Sequence, residues 1–398
     1  MSEIETFDVV IVGGGPSGAT AAHELARFGR RVLLLDRDGR IKPCGGAIPP
    51  RLIEDFAIPD DLLVAKARSA RMIAPSARVV DMPVGNGFVG MVDRDVFDEY
   101  LRTRASEAGA ERRTGTFEQI SRDADGVAIV HYFAGRERDK SEPMQVRARA
   151  VIGADGARSS VARQTVKGAD KMKYVFAYHE ILKAPAPDAA DDPQRCDVFY
   201  QGKNSPDFYS WIFPHGDKLS IGTGSMNKGF SLRGSVGELR KAVGLDKAET
   251  IRREGAPIPL KPLKKWDNDR DVVLAGDAAG VVAPASGEGI YYAMEGGRLA
   301  AVAADLFLAT GNPKALQTAR KSFMKDHGRV FLILGIMQYF WYANDKRRER
   351  FVKMCMDKDV QELTWDSYMN KRLTRRKPQA HFKIFLKDTM HLFGFART

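Results

Sequence analysis

The glycine pattern Gly13-x-Gly15-x-x-Gly18 constrains this chain more than any other feature, because of where it sits. It follows the apolar run Phe7 to Val12, which reads as a buried strand, and opens the segment Ala19 to Phe28, which reads as a helix. A second strand, Arg31 to Leu35, ends on the acidic Asp36. Strand, turn, helix, strand and acid in this order make one βαβ unit that binds a dinucleotide. Gly13 permits the tight turn, Gly15 lets the backbone approach a pyrophosphate, and Gly18 lets helix and strand pack closely. The helix N-terminus adds N–H donors and the positive end of its dipole. Asp36 is placed to accept hydrogen bonds from a ribose diol. At this point FAD and NAD satisfy the pattern equally.

The rest of the chain is organised around that unit. Asp93 to Gly109 has helical spacing, a polar and poorly periodic stretch follows with a turn at Asp123 to Gly126, and Ala148 to Ile152 reads as another strand. Between about 170 and 265 the pattern changes to short alternating runs, such as Asp197 to Tyr200, Phe208 to Phe213 and Leu219 to Gly222, broken by Gly and Pro turns. That is the signature of an antiparallel sheet. Val272 to Leu274 returns to a buried strand, and a small-residue helix follows from about Gly287 to Leu308. The expected fold class is therefore α/β (α+β). Its discontinuous cofactor-binding part covers 1–165 and 266–330, and an inserted substrate-binding sheet covers 166–265. Residues 70–90 contribute to the substrate side, and a basic helical region covers 331–398.

Charge and cysteine usage bound the setting. Of the formal net charge of +11, residues 321–398 carry +9, from 17 Lys or Arg against 8 Asp or Glu. Such a patch suits anionic lipid, nucleic acid or an acidic partner protein. Val330 to Ala343 is the most apolar run of this region, and its 14 residues fall short of the roughly 20 that cross a bilayer. A buried or interfacial helix is expected there. Cys44, Cys196 and Cys355 have no metal-ligand spacing, so no metal site and no disulfide framework are expected. The acidic start, Met1 to Asp8, lacks the basic region of a secretion signal, which points to a cytoplasmic setting.

Two further motifs place an Asp directly after a strand: Gly153-Ala154-Asp155-Gly156-Ala157-Arg158-Ser159-Ser160 and Leu274-Ala275-Gly276-Asp277-Ala278-Ala279-Gly280. With the glycine turn they make a trio that resembles the flavoproteins of the para-hydroxybenzoate hydroxylase fold. The resemblance implies FAD as the cofactor, with Asp277 on the ribityl chain and Asp155 also at the cofactor. It implies further that the helix opened by Gly287-Glu288-Gly289-Ile290 aims its N-terminus at the flavin pyrimidine ring, where its dipole stabilises negative charge. Arg94 stands where these proteins carry a cofactor-contacting arginine.

Three segments narrow the resemblance to the geranylgeranyl reductase branch. Pro43-Cys44-Gly45-Gly46 matches a Cys-Gly-Gly turn beside the flavin, so Cys44, Gly45 and Gly46 are candidate cofactor contacts. Cys44 is also the candidate catalytic residue, either as a proton donor or as a shape element. Tyr209-x-Trp211-x-Phe213-Pro214 followed by Gly222-Thr223-Gly224 is similar to the aromatic signature of these reductases. Alternation would put the three rings on one face, a flat apolar wall for an isoprenoid. The run Met354 to Lys371 resembles the tail of the chlorophyll and bacteriochlorophyll members, and His381 to Phe395 resembles the bacterial photosynthetic ones.

The resemblance implies an oxidoreductase acting on CH–CH bonds with NADP as acceptor. It would reduce three double bonds of the geranylgeranyl tail of bacteriochlorophyll(ide) a, or of geranylgeranyl diphosphate, to phytyl. NADPH would dock transiently, since only one dinucleotide fingerprint exists, and ferredoxin is the alternative donor. The expected location is peripheral, on the cytoplasmic face of the photosynthetic membrane, in contact with pigment-synthesis enzymes and without nucleic acid. A flavin monooxygenase of the same fold and a noncatalytic flavin-containing tetrapyrrole or lipid carrier remain the rival readings.

Overall fold

The structure, a computed structural model, describes residues 4–37, 41–85, 87–135, 142–185, 192 and 194–371. The His381 to Phe395 stretch lies outside the described residues. The chain opens with strand β1 (Thr6–Val12), helix α1 (Pro16–Arg27) and strand β2 (Val32–Asp36). Val9, Val10 and Ile11 are fully buried, as a central parallel strand covered on both faces requires. Each such side chain contributes roughly 1.5–3 kcal/mol by leaving water. Next come β3 (Ala47–Ile48), α2 (Pro50–Asp55), β4 (Ala65–Ala67), β5 (Ser69–Ile73), β6 (Val79–Pro83) and β7 (Val89–Met91). Helix α3 (Arg94–Glu107) leads to the long strands β8 (Glu111–Arg122), β9 (Ala128–Ala134) and β10 (Pro143–Gly153).

Parallel pairing runs from β8 through β2, β1 and β10 to β16 (Val272–Leu274). The strands β8 and β10 continue past this parallel part and pair antiparallel with β9 on its two sides. The polar stretch after α3, expected to be irregular, is therefore two strands. The side chains of β8 are half exposed, so it carries no apolar signal, and β9, though mostly buried, is only seven residues long.

Helix α4 (Ser160–Thr165) precedes the strands of a second sheet: β11 (Tyr174–Lys183), β12 (Arg195–Phe199), β13 (Ser210–His215), β14 (Lys218–Ser225) and, after helix α5 (Leu232–Ala242), β15 (Thr250–Pro259). The order is β15-β11-β14-β13-β12-β5-β6. All neighbours are antiparallel except β12 and β5, so the segment 69–83 joins this sheet through a parallel pair.

Helix α6 (Ile290–Thr310) packs along α1: a Cβ on Gly297 would lie 2.2 Å from the Ser17 carbonyl oxygen. The apolar run 330–343 belongs to a longer helix than its own pattern predicts, α7 (Gln317–Trp341). Val330, Phe331 and Trp341 are buried on one side, whereas Leu332, Ile336 and Tyr339 are exposed. No described helix is long and apolar enough to cross a membrane. Helices α8 (Asp345–Met354) and α9 (Lys358–Asn370) hold the Met354 to Lys371 run.

Candidate cofactor and substrate site

The glycine turn leaves one opening, and it is at Gly15. A Cβ on Gly13, whose φ is +106°, would lie 2.4 Å from the Ala154 carbonyl oxygen, and one on Gly18 would lie 1.8 Å from the Gly13 carbonyl oxygen. A Cβ on Gly15 meets nothing within 4 Å. Gly15 is also the N-cap of α1 without any side-chain cap, so the first-turn N–H groups face that space unpaired by a capping side chain. Gly14 lies against Asp36, whose carboxylate ends β2 within 3.6 Å of Arg102. Arg102 also donates to the Gly14 carbonyl at 3.2 Å, tying α3 to the turn. The buried Ser17 hydroxyl has no hydrogen-bond partner among the described residues. An open anion-binding helix end, an acid at the next strand and an orphaned hydroxyl are the features an FAD diphosphate and ribose require, so these residues fit the cofactor.

The two Asp motifs converge on this turn. Asp155 accepts from the Ser160 N–H at 2.6 Å, the Val161 N–H at 3.2 Å and the Ser159 hydroxyl, so its carboxylate is taken up in capping α4. Its backbone, not its free oxygens, is what abuts Gly13. Asp277 is buried and pairs with Lys42 Nζ at 2.5 Å. Nothing in the sequence pattern marks Lys42, because 235 residues separate it from Asp277.

The Cys-Gly-Gly turn lies flat on strand β13. A Cβ on Gly45 would stand 3.0 Å from the Phe213 ring and 3.8 Å from Trp211 Nε1, and one on Gly46 would stand 2.6 Å from His215 Nε2. The Gly46 N–H donates to Cys44 Sγ at 3.4 Å. Arg94 is buried, held by Asp98 through bonds of 2.8 and 2.7 Å. Burial works against the Arg94 charge, but the Asp98 carboxylate beside it holds the guanidinium protonated. Burial pulls His215 below the usual imidazole range, so a neutral ring sits beside the turn. His215 was not marked by any motif.

Tyr209, Trp211 and Phe213 form a ladder, with ring centroids 5.9 and 6.2 Å apart. Its Tyr209 end donates to the Ser286 carbonyl at 2.5 Å. There Gly287, with φ +65°, approaches so closely that a Cβ would lie 3.3 Å from Phe208 and 3.5 Å from the Tyr209 hydroxyl. The wall thus spans from the Cys44 turn to the Gly287 loop. Gly289 is the N-cap of α6, whose first residue is Ile290. Glu288 accepts from the Tyr291 N–H at 3.0 Å and pairs with Lys371 Nζ at 2.7 Å, both side chains being buried. The Lys371 ammonium also lies 4.3 Å from the Tyr368 ring and 5.2 Å from that of Tyr292. The end of the tail signature is thereby anchored at the loop that opens α6, a contact invisible in the sequence.

Among the three cysteines only Cys44 is partly exposed, while burial pushes the Cys196 and Cys355 thiols up to about 12. A maleimide should therefore label one thiol rapidly in the folded protein. Cys44→Ala should abolish that fast phase and added FAD should slow it. Fast labelling that survives the substitution would refute the placement.

Residues 6–322 match the family model described as FAD binding domain. The chain is 58% identical over 388 residues to geranylgeranyl diphosphate reductase of Rhodobacter capsulatus, covering 98% of both chains. It is 35% identical to the chloroplastic geranylgeranyl diphosphate reductase of Oryza sativa, covering 94% of this chain and 84% of the relative. A solved geranylgeranyl bacteriochlorophyll reductase-like protein from Thermoplasma acidophilum shares the fold with a TM-score of 0.81 at 21% identity, covering 95% of this chain and 100% of that one. With a family model matching residues 6–322 and a near full-length likeness at this identity, the chain belongs to the geranylgeranyl diphosphate reductase family.

Proposed function

We propose that this protein is an FAD-dependent reductase that hydrogenates three of the four double bonds of a geranylgeranyl chain to give phytyl, in bacteriochlorophyll synthesis. The observation that carries the reading is the aromatic wall laid directly against the Cys-Gly-Gly turn, next to an FAD-shaped cradle, in a chain 58% identical to a geranylgeranyl diphosphate reductase. When bound, FAD supplies the two-electron chemistry that no side chain here can. The glycine turn and the N-terminus of α1 would hold its diphosphate, Asp36 its ribose, and Asp277, which pairs with Lys42 here, its ribityl chain. The N-terminal end of α6 offers its dipole to the flavin ring.

The Tyr209, Trp211 and Phe213 ladder is the apolar surface we assign to the isoprenoid, and Gly45 and Gly46, whose Cβ positions are taken by Phe213 and His215, let the Cys44 turn pack directly on it. Cys44 in the turn and the neutral His215 beside it are the groups we assign to proton delivery at that surface. NADPH is the donor we assign. A cavity of about 310 Å³ lined by Arg158, Arg163 and Tyr174 beside Ala278 suits a nucleotide phosphate and its adenine. The exposed Leu332, Ile336 and Tyr339 of α7 suit peripheral attachment to a membrane, where geranylgeranylated pigment resides.

Incubation with NADPH and geranylgeranyl substrates under strictly anaerobic conditions, read by mass spectrometry of the tail, tests the assignment. Stepwise gain of two hydrogens per alkene is expected. A requirement for oxygen would replace the reductase with a monooxygenase. A lack of any substrate-dependent oxidation, with NADPH or with chemically reduced flavin, would leave a carrier.

A further inference from the structure

Four strands of the second sheet bring four residues into one row beside the aromatic wall. Trp211 on β13 stands opposite Gly222 on β14, Gly222 opposite His179 on β11, and His179 opposite Glu254 on β15. Residues directly opposite across antiparallel strands share a face, so the row lies on the side of the sheet that carries the wall. Gly222 makes the row possible: a Cβ there would stand 2.3 Å from Trp211 Cζ2 and 2.6 Å from the His179 Cβ. The indole thus lies directly over the bare backbone of β14. Ser220, two residues before Gly222, points to the same face.

A chain of hydrogen bonds runs along this row. The Trp211 indole N–H donates to Ser220 Oγ at 3.2 Å, Ser220 Oγ lies 3.1 Å from His179 Nδ1, and His179 Nε2 lies 2.9 Å from the Glu254 carboxylate. One direction satisfies every atom: the Ser220 hydroxyl donates to Nδ1 and the Nε2–H donates to the carboxylate. Arg252 pairs with the second Glu254 oxygen and ends the chain on the edge strand. Trp211 and His179 are buried, and Ser220 is fully enclosed, which rules out a nucleophilic role for its hydroxyl.

Packing alone does not demand such a chain. Trp266 is fully buried, and its indole N–H has no hydrogen-bond partner among the described residues. Trp211 differs in its place. Its Nε1 lies 3.8 Å from where a Gly45 Cβ would stand, so the edge of the indole that Ser220 holds is the edge that meets the Cys44 turn.

We propose that His179, oriented by Glu254 and acting through Ser220, is a positioning residue that fixes the Trp211 indole in the wall. The inference rests on the reading of the wall as the isoprenoid surface and deepens it: a fixed indole sets where each double bond stops relative to the Cys44 turn.

The FAD-loaded full-length protein carries the test. In proton–nitrogen NMR spectra of isotope-labelled tryptophan, the Trp211 indole signal, identified by its loss in Trp211→Phe, reports the bond without turnover. Ser220→Ala and His179→Leu should speed hydrogen exchange of that N–H by about tenfold or more, with flavin absorbance and thermal unfolding confirming a folded holoprotein. His179→Asn, whose amide oxygen replaces Nδ1 as acceptor for Ser220, should retain most of the protection. With geranylgeranyl diphosphate and chemically reduced flavin, Ser220→Ala should lower kcat by about tenfold, keep KM within about twofold of wild type and accumulate partly reduced chains. An indole N–H as protected in Ser220→Ala as in wild type would overturn the proposal. So would equal exchange in His179→Asn and His179→Leu, which would make His179 a packing residue, or a freed indole with unchanged kcat and products. If the wild type reduces no alkene, the reductase reading fails, and indole exchange alone decides whether His179 positions Trp211.

Discussion

Gly15→Val is expected to give a folded protein that no longer retains FAD, with the dissociation constant raised at least about 100-fold, or about 2.7 kcal/mol. The Cβ position of Gly15 is empty in the folded chain, so the branched side chain meets no protein atom and occupies only the space into which a pyrophosphate must come. Gly18→Val should do the opposite damage. There the added carbon would stand 1.8 Å from a backbone oxygen, so helix α1 must move away from the turn at a cost near or above the upper end of the roughly 1–3 kcal/mol of overpacking. Circular dichroism and thermal unfolding of the apoproteins, together with flavin absorbance after gel filtration, distinguish the two. A Gly15→Val protein that keeps its flavin would remove the cradle from the cofactor site.

Lys371→Met is expected to destabilise the protein by roughly 3–5 kcal/mol, because it leaves the Glu288 carboxylate buried without its partner. The double variant Glu288→Gln/Lys371→Met should recover most of that loss, since the desolvated charges vanish together. Burial pulls the Lys371 ammonium down from its usual range while Glu288 opposes it, so the pair is held at a desolvation cost and carries geometry more than net stability. Activity should thus remain low in the double variant, whose α6 N-terminus is no longer pinned. Urea unfolding and turnover at saturating FAD check this. Equal stability of the single and double variants would show that the pair is not coupled.

The elements that the sequence made legible are those whose signal is local. The glycine turn reads directly because steric demands at Gly13 and Gly18 leave no other residue, and β1 and β2 read as apolar runs because both faces are covered. The wall of Tyr209, Trp211 and Phe213 was legible from alternation alone. Strand β8 was not, since its half-exposed side chains tolerate polar residues on both faces, and β9, though mostly buried and apolar, is only seven residues long. Helix α7 was seen only in part, because its first half, Gln317 to Arg329, is amphipathic and basic. The partners Lys42 to Asp277 and Lys371 to Glu288 are contacts over 235 and 83 residues, and no spacing rule reaches that far. The same distance hid the neutral His215 from the Cys44 turn that it faces.

The way the second sheet recruits its strands sets a condition on biogenesis. Strands β5 and β6 emerge early from the ribosome, yet β5 must wait for β12, more than a hundred residues later, before it has its inner neighbour. The parallel sheet likewise lacks β16 until residue 274 has been made. Neither sheet can close while the first half of the chain is alone, so unpaired strand edges stay exposed throughout most of synthesis. A truncation before residue 275 should be recovered as aggregate rather than as an independent flavin-binding fragment.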